Sequence, residues 1–283
     1  MAKDAGEYTT ALLIRAVRRV HHTPVLVELS ELVSALNVSE DGLIFEDEGL
    51  KLNGVIVRDV GAGRCEEMGF RLDCLRRMED ITVLNAPDVI FACADKHITQ
   101  HLLSKADIPS PPTVVIQSEH EAVRWIGRLG EVVLKPPYGY EGRGMVRVRA
   151  HEPDIDKRVH EMLCAHGVLI IQQFVPCAGD TRVLVVGKKV VGCVRRVPKE
   201  GGWLSNIAQG GRAVRARCTP AMEELALSSA EAVGAAFAGV DIIQNTQTDD
   251  SYVLEVNATP SFRTVSELCG ADPAPMVIEL LTE

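Results

Sequence analysis

The stretch VVLKPPYGYEGRGMVRV, residues 132–148, is the starting point for predicting the fold. An apolar run ends at Lys135. Beyond it, three glycines, Gly139, Gly142 and Gly144, fall within a span of six residues. The segment after the glycines, MVRVR, alternates in a way that is typical of a strand. A Walker loop requires Lys-Ser or Lys-Thr after its glycines, and a dinucleotide fingerprint requires a following helix, so the stretch is neither of these.

A glycine loop that joins two strands has no helix N-terminus to help it bind an anion. Such a loop would hold phosphates with its own backbone amides and close over them as a flap, and Lys135 would supply positive charge beneath it. The alternative is a glycine-rich hairpin turn with an ordinary surface lysine. The loop by itself leaves both interpretations open.

The bulk composition indicates an ordinary globular protein. The 283 residues suggest about two domains, and 46% of them are hydrophobic and 24% charged. A formal net charge of −9 argues against a dedicated nucleic-acid binder or a membrane-surface protein. Eight cysteines without a CxxC pair favour reduced thiols, and no apolar run approaches the roughly 20 residues of a membrane span. We therefore expect a cytoplasmic protein with no nucleic-acid and no membrane partner.

The first part of the chain alternates short strands with helices. Strands are predicted over 24–28, 54–58 and 82–85, and a helix over 66–79, which together make a small α/β unit. Asp95 is placed to cap the helix that follows it.

Beyond a stiff linker over 108–113 the pattern becomes richer in strands. Strands are predicted over 114–116, 131–135, 145–149, 168–174, 239–244 and 251–257, a hairpin over 181–197, helices over 119–129 and 220–237, and a last helix after Pro273. The sequence thus predicts an α/β start followed by an α+β region.

Oxygen-bearing side chains interrupt two apolar strands near the C-terminus. Glu255 and Asn257 are two residues apart on one strand, so their side chains share a face, and Asp241 lies in the neighbouring strand. Burying such groups in an apolar strand is costly unless something compensates for it. Two carboxylates and an amide oxygen suit Mg²⁺, which uses few protein ligands together with water and substrate phosphates. The alternative is a solvent-facing side of the sheet.

Taken together, these segments resemble the ATP-grasp superfamily, and specifically its RimK-type branch of glutamate and related amino-acid ligases. The resemblance runs from about residue 50 to the C-terminus. It is carried by DK (95–96), VVLKP (132–136) with the glycine loop, QQFV (172–175), GDTR (179–182), VRRV (194–197), SN (205–206) with QGG (209–211), GVD (239–241) and EVNATP (255–260).

The resemblance implies an ATP-grasp fold behind an N-terminal α/β domain. The implied domains are a substrate-side α/β domain over 1–92, a central lid subdomain with the flap over 93–170, and a C-terminal subdomain with the metal site over 171–283. The flap glycines are Gly139, Gly142 and Gly144. The implied ATP-binding residues are Lys96, Lys135, Gln172, Gln173, Phe174, Val175, Asp180, Ser205 and Asn206.

The resemblance also implies roles at the reacting centre. Asp241, Glu255 and Asn257 match the ligands of two metal ions, Mg²⁺ or Mn²⁺, with Glu255 between them. Arg196 matches a catalytic arginine, and Arg58 matches an arginine near the acceptor. Some relatives have a basic residue directly before the Ser-Asn pair, where this chain has Leu204, so their acceptor specificity is not carried over.

The implied activity is that of an ATP-dependent carboxylate–amine ligase. It would add an amino acid, L-glutamate by preference, to a carboxylate of a small anionic coenzyme such as tetrahydromethanopterin, through an acyl phosphate. The resemblance also implies a homodimer or homotetramer. Three alternatives stay open: a RimK-type ligase acting on a protein tail or carrier protein, an ATP-grasp phosphotransferase, and a nucleotide-binding module without catalysis.

Overall fold

The computed structural model describes residues 6–35, 42–45, 48–49, 52–61, 65–78, 81–139 and 141–282 of the chain. Two residues of the predicted elements lie outside these ranges: Glu79, the last residue of a predicted helix, and Tyr140 in the glycine loop.

The N-terminal region combines helices with two small sheets. Strands β1, β2 and β3 form an antiparallel sheet, whereas β4 and β5 pair in parallel with α2 as the crossover. The predicted cap at Asp95 is confirmed, because its side chain accepts hydrogen bonds from the backbone amides of His97 and Ile98. The elements are α1 (Tyr8–Arg19), β1 (Val33–Ala35), β2 (Gly42–Phe45), β3 (Glu48–Gly49), β4 (Gly54–Ile56), α2 (Cys65–Arg76), β5 (Thr82–Leu84), α3 (Pro87–Ala94) and α4 (Lys96–Lys105).

The strand predicted over 24–28 does not form. Residues 22–28 join no ladder within the described ranges, and a short 3₁₀ turn, Leu29–Glu31, follows them. A strand requires a neighbour with which to exchange hydrogen bonds, and β4 pairs with β5 instead. The apolar β-branched run was therefore not sufficient to predict a strand.

The central region is a four-stranded antiparallel sheet in the order β6-β9-β7-β8. Helices α5 and α6 cover it through a core that includes Ala122, Ile126 and Val159. Because β7 and β8 are neighbours, the prediction of a glycine loop between two strands is confirmed. The elements are β6 (Thr113–Ile116), α5 (Glu119–Leu129), β7 (Glu131–Lys135), β8 (Val146–Arg149), α6 (Ile155–His166) and β9 (Leu169–Gln173), so the boundary predicted after residue 170 falls inside β9.

The C-terminal region is built on a five-stranded antiparallel sheet in the order β12-β11-β10-β13-β14. The predicted hairpin and the last two predicted strands are confirmed, whereas α7 ends at Ala232, five residues before its predicted end. The elements are β10 (Asp180–Val186), β11 (Lys189–Val197), β12 (Arg212–Arg215), α7 (Pro220–Ala232), β13 (Phe237–Gln244), β14 (Ser251–Asn257), α8 (Arg263–Cys269) and α9 (Ala274–Thr282).

The two faces of this sheet pack against different helices. Val183 and Val185 of β10 lie in a core with α7, and Leu184 and Val186 lie in a second core with α1, α8 and α9. Because alternate residues of a strand point to opposite faces, Asp180 and Arg182 share the face of Leu184. Asp180 and Arg182 therefore lie on this second face of the sheet, beyond the end of its apolar core. None of the helices in the described part of the chain has the length and apolar character needed to cross a bilayer.

Candidate active site

Strand register gathers the charged residues of the C-terminal sheet on one face. Asp180 of β10 lies opposite Arg196 of β11, and Arg182 of β10 lies opposite Asp241 of β13. Asp241 in turn lies opposite Glu255 of β14. Residues directly opposite each other in an antiparallel pair share a face, so these five side chains lie on one face of the sheet, in two neighbouring rows across four strands.

A buried network of ion pairs holds Asp241. Arg182 donates from Nε to Oδ1 over 2.7 Å and from Nη2 to Oδ2 over 2.8 Å, and Nη2 of Arg196 donates to Oδ2 over 2.6 Å. Arg196 also binds Asp180. Burial alone would raise the pKa of Asp241, but the charges of Arg182 and Arg196 outweigh it and lower that pKa. Asp241 is therefore ionised at neutral pH.

Lys135, at the end of β7, is a buried ammonium group. Its side chain donates from Nζ to Oε1 of Gln172 over 2.5 Å, and Gln172 donates from Nε2 to Oγ1 of Thr113 over 2.9 Å. Burial lowers the pKa of Lys135 to about 8, with Glu255 acting to raise it and the neighbouring Lys96 to lower it. Lys135 therefore stays mainly protonated at neutral pH, but it is poised to lose its proton in mildly alkaline solution.

Lys96 reaches the same place from α4. It is the first residue of that helix, its backbone amide donates to the carbonyl oxygen of Pro137 over 3.3 Å, and its Nζ donates to the carbonyl oxygen of Gly139 over 2.8 Å. Burial lowers the pKa of Lys96, while Glu255 and Asp95 act to raise it. The fold thus brings Lys96, Lys135 and Glu255 together from three separate elements.

The glycine loop lies between α4 and the segment around Asn206. Gly142 and Gly144 both have φ near +72°, a left-handed conformation that favours glycine. A Cβ on Gly142 would lie 2.7 Å from Oδ1 of Asn206, so the loop backbone approaches that side chain closely. On the same side, Nε2 of Gln209 donates to the carbonyl oxygen of Glu141 over 3.2 Å. The loop is therefore held from both sides.

A cleft of about 90 Å³ lies beneath the loop. Ligand pockets usually enclose about 300–1,000 Å³, so this cleft is smaller than a usual ligand pocket. A larger cavity of about 510 Å³ lies elsewhere, between α1, residues 20–27, β4 and α9. The predicted site residues that line the cleft are Lys135, Gln172, Gln173, Phe174, Val175, Asp180, Arg196, Ser205, Asn206, Asp241 and Glu255.

An aromatic cluster closes one end of this cleft. Trp203 packs edge-on against Phe174 with ring centroids 6.4 Å apart, and the Arg147 guanidinium carbon lies 3.6 Å from the Phe174 centroid. Phe174 also donates its backbone N–H to Glu131, whereas the backbone groups of Val175 make no hydrogen bond within the described residues. Trp203 and Arg147 were not predicted as site residues. A tryptophan two residues before Ser205, in a chain with only two, was the available signal for Trp203.

Asn257 and Arg58 lie at the edge of the site, outside the cleft lining. Asn257 follows Glu255 by two residues on β14, and its Oδ1 accepts a hydrogen bond from the backbone N–H of Thr259 over 2.9 Å. Arg58 donates from Nη1 to the carbonyl oxygen of Pro260 over 2.8 Å. Asn85, which was not singled out in the sequence, is fully buried and donates to the carbonyl oxygen of Ala258.

The oxygen donors fit the hard divalent cation that was predicted. Asp241 accepts three hydrogen bonds, and a carboxylate has about four lone-pair positions, so one position on Oδ1 remains. The Glu255 side chain makes no hydrogen bond or salt bridge within the described part of the chain. In that part no cluster of three or more His, Cys, Asp and Glu side chains could hold a metal ion, so the Asn257 amide and substrate oxygens would have to complete the coordination.

Comparison with known proteins decides the family. A model described as a RimK-like ATP-grasp domain matches residues 93–281. The chain belongs to the RimK-like ATP-grasp family. The ATP-grasp fold and the family predicted from the sequence are confirmed, and so is the prediction of an ATP-dependent ligase.

Two curated members of the family resemble the chain along much of its length. The tetrahydromethanopterin:alpha-L-glutamate ligase of Methanosarcina acetivorans is 34% identical, over 98% of this chain and 96% of that protein. The ligase of the same name from Methanocaldococcus jannaschii is 36% identical, over 76% of this chain and 75% of that protein.

Solved ATP-grasp structures share the fold. A RimK domain ATP-grasp protein from Sphaerobacter thermophilus superposes with a TM-score of 0.76 at 23% identity, over 100% of this chain and 98% of that one. The ATP-grasp ligase PsnB, complexed with a minimal precursor, gives the same TM-score at 19% identity, over 99% and 96%. At these identities the likeness concerns the ATP-grasp fold alone.

Proposed function

We propose that the protein adds L-glutamate, through an α-linkage, to a carboxylate of a small anionic coenzyme such as tetrahydromethanopterin. The observation that carries this proposal is the convergence of Lys135, Asp241 and Glu255 around one cleft under the glycine loop, with Lys96 close to Lys135 and Glu255. Positive groups and oxygen ligands beneath a glycine-rich loop are what the transfer of a phosphoryl group requires. The names of the curated relatives supply the substrate class.

The nucleotide would lie in the cleft with its base near Val175. The free backbone N–H and C=O of Val175 could pair with the edge of adenine, beside the aromatic rings of Phe174 and Trp203. Lys135 and Lys96 would bind the phosphates. Lys96 would exchange its hydrogen bond with the Gly139 carbonyl for a phosphate oxygen, which couples nucleotide entry to movement of the loop.

Asp241, Glu255 and Asn257 would hold two divalent ions, Mg²⁺ or Mn²⁺, together with phosphate oxygens. Bound there, the ions would neutralise the charge of the transferring phosphoryl group. Arg182 would keep Asp241 ionised and would leave one position on Oδ1 for a ligand. Glu255, directly opposite Asp241, could face both ions.

Arg196 would stabilise the charge that develops during transfer. Its Nε and Nη2 are bound to Asp180 and Asp241, whereas its Nη1 makes no hydrogen bond to any described residue. The acceptor carboxylate would attack the γ-phosphate of ATP and release ADP. The unprotonated glutamate amine would then attack the carbonyl carbon of the acyl phosphate, and Nη1 would hydrogen-bond the tetrahedral oxyanion. Collapse of this intermediate would break the C–O bond to phosphate, release inorganic phosphate, pass the amine proton to solvent and leave the amide. One well-placed donor of this kind contributes about 3–4 kcal/mol.

The acceptor would approach from the N-terminal side, where Arg58 borders the Pro260 segment. The closed loop would keep water from the acyl phosphate. We also propose that the protein works in the cytoplasm as a homodimer or homotetramer.

A phosphate-release screen tests the proposed activity. Purified protein, ATP and Mg²⁺ are combined with single amino acids and with tetrahydromethanopterin, a deazaflavin coenzyme or a C-terminal peptide ending in glutamate. Phosphate release that requires both L-glutamate and the pterin, with a product one glutamyl residue heavier, is the expected result. Tandem mass spectrometry of the product then distinguishes an α- from a γ-linkage.

Two other outcomes would replace the proposal. Glutamylation of the peptide alone would indicate a ligase that acts on protein tails. A phosphorylated acceptor that accumulates with or without glutamate would indicate a phosphotransferase.

A further inference from the structure

The four residues Asn257–Pro260 form a turn that the N-terminal region holds in place. Within the turn, the backbone N–H of Thr259 donates to Oδ1 of Asn257 over 2.9 Å. From outside, Asn85 donates to the carbonyl oxygen of Ala258 over 2.6 Å. Arg58 donates to the carbonyl oxygen of Pro260 over 2.8 Å. Both outside donors follow the parallel strands β4 and β5, some 170–200 residues earlier in the chain.

Asn85 uses its complete side-chain amide in this contact. Its Nδ2 donates to the carbonyl oxygens of Phe237 and Ala258, and its Oδ1 accepts from the backbone N–H groups of Ala236 and Phe237. The side chain is fully buried. Asn85 therefore joins the start of β13, which carries Asp241, to the turn that follows β14.

The guanidinium group of Arg58 is buried with few partners. Its side chain is only 8% exposed, its Nε has no hydrogen-bond partner, and its nearest carboxylate, Glu7, is 3.9 Å away. The guanidinium carbon lies 5.7 Å from the centroid of the Phe262 ring, beyond the turn. A buried cation with an unpaired N–H is costly to fold. At this position Arg58 supplies a charged hydrogen-bond donor to the Pro260 carbonyl.

We propose that Arg58 and Asn85 are positioning residues that fix the amide oxygen of Asn257 for the divalent ion. This inference rests on the proposed function, in which Asn257 is a ligand. The turn has Oδ1 of Asn257 as its internal acceptor, so rotation of the turn rotates that oxygen. With Ala258 and Pro260 both held, Oδ1 keeps one orientation. The Thr259 hydroxyl, 3.5 Å away, makes only a marginal hydrogen bond to Oδ1, which an ion would displace. The N-terminal region thereby contributes to the metal site without supplying a ligand.

Binding of ADP, without acceptor or glutamate, tests this proposal. The dissociation constant of ADP is measured by calorimetry in EDTA and in saturating Mg²⁺. The constant in EDTA divided by the constant in Mg²⁺ reports how much the metal ion strengthens ADP binding. Because the assay contains no acceptor, a role of Arg58 toward the acceptor does not enter. The wild-type ratio is measured first; a ratio of one would remove the proposed metal site itself and this inference with it.

Arg58→Met is expected to reduce the ratio by about tenfold and to leave ADP binding in EDTA unchanged, since partners of metal ligands typically change metal affinity by about 10–100-fold. Arg58→Lys keeps a cationic donor and is expected to restore most of the ratio. Arg71→Met is the matched control, because Arg71 donates from Nη1 to the Val60 carbonyl over 2.9 Å but does not touch the turn. It is expected to match the wild type.

The melting temperature of each variant is recorded, and Arg58→Gln replaces Arg58→Met if the latter does not fold. An unchanged ratio in the folded variant would overturn the proposal. Equal weakening of ADP binding in EDTA and in Mg²⁺ would also overturn it, because that pattern is what a merely structural role predicts.

Discussion

Arg182 binds both carboxylate oxygens of Asp241 from the neighbouring strand, at 2.7 and 2.8 Å. The pair faces the cleft side of the sheet, and the Asp241 side chain is only 5% exposed. Two parallel N–H···O bonds fix the plane of the carboxylate as well as its charge. Together with the hydrogen bond from Arg196 to Oδ2, this contact determines which lone pair of Asp241 remains for a ligand.

Replacing Arg182 should therefore affect both stability and metal use. Arg182→Met leaves Asp241 buried with Arg196 as its remaining partner, and we expect a loss of about 1.5–3 kcal/mol in the free energy of unfolding, measured in urea. Arg182→Lys restores the charge but not the bidentate geometry, so it should recover stability more than turnover. Arg195→Met, one strand away, removes an arginine whose side chain donates, among the described residues, only to the Ala178 carbonyl, and it should change neither. Equal turnover in the two Arg182 variants and the wild type would contradict this assignment.

Glu255→Ala should separate activity from stability. Because the Glu255 side chain makes no hydrogen bond or salt bridge within the described residues, its removal costs only its longer-range attraction to Lys96 and Lys135, and the melting temperature should fall only slightly. Turnover should fall by about 10³-fold if Glu255 holds the ions that neutralise the phosphoryl charge. Steady-state phosphate release and a thermal melt are the two measurements. Retained turnover would refute the metal assignment.

The pH dependence of the unliganded enzyme should report Lys135. Its pKa is about 8, so the cation is present at pH 7 and is lost as the pH rises through 8. The kcat/KM for ATP should accordingly fall on the alkaline side with an apparent pKa near 8. Lys135→Arg stays charged and should move this limb to higher pH. If the apparent pKa of kcat/KM stays near 8 in the arginine variant, the titration belongs to another group.

The same group should affect stability with the opposite sign. The pKa of Lys135 is lower in the folded protein than in the unfolded chain, so the unfolded chain binds more protons between about pH 8 and 10. The contribution of Lys135 to stability should therefore rise, not fall, across this range. Urea unfolding of the wild type and of Lys135→Met, compared at the two ends of the range, checks the sign.

Two glycines of the loop offer a matched test of its closure. Gly142→Ala and Gly144→Ala both place a side chain at φ near +72°, at a cost of about 1–2 kcal/mol each. Only the Gly142 substitution also brings a Cβ within 2.7 Å of Asn206, since the nearest atom to a Cβ on Gly144 is 3.6 Å away. We expect Gly142→Ala to lower kcat by about tenfold more than Gly144→Ala and to raise ATP hydrolysis uncoupled from ligation. Equal effects would mean that contact with Asn206 is not part of closure.

Local patterns were sufficient for most of the elements around the site. The glycine loop between β7 and β8, the cap at Asp95 and the strands that carry Asp241 and Glu255 follow from period, turn residues and capping chemistry, which act within a few residues. The strand expected over 24–28 does not form, because local pattern cannot supply a pairing partner. An extended segment becomes a strand only through a partner, and the choice of partner is a long-range event.

Residue type and spacing along the chain were enough to predict the family, the loop and the oxygen-bearing side chains of β13 and β14. The three-dimensional fold was needed to show that Arg182 lies opposite Asp241, that Lys96 lies near Lys135, and that Arg58 and Asn85 hold the turn after Asn257. Those contacts join residues far apart in the chain. Their energies come from burial and strand register, which no local spacing encodes.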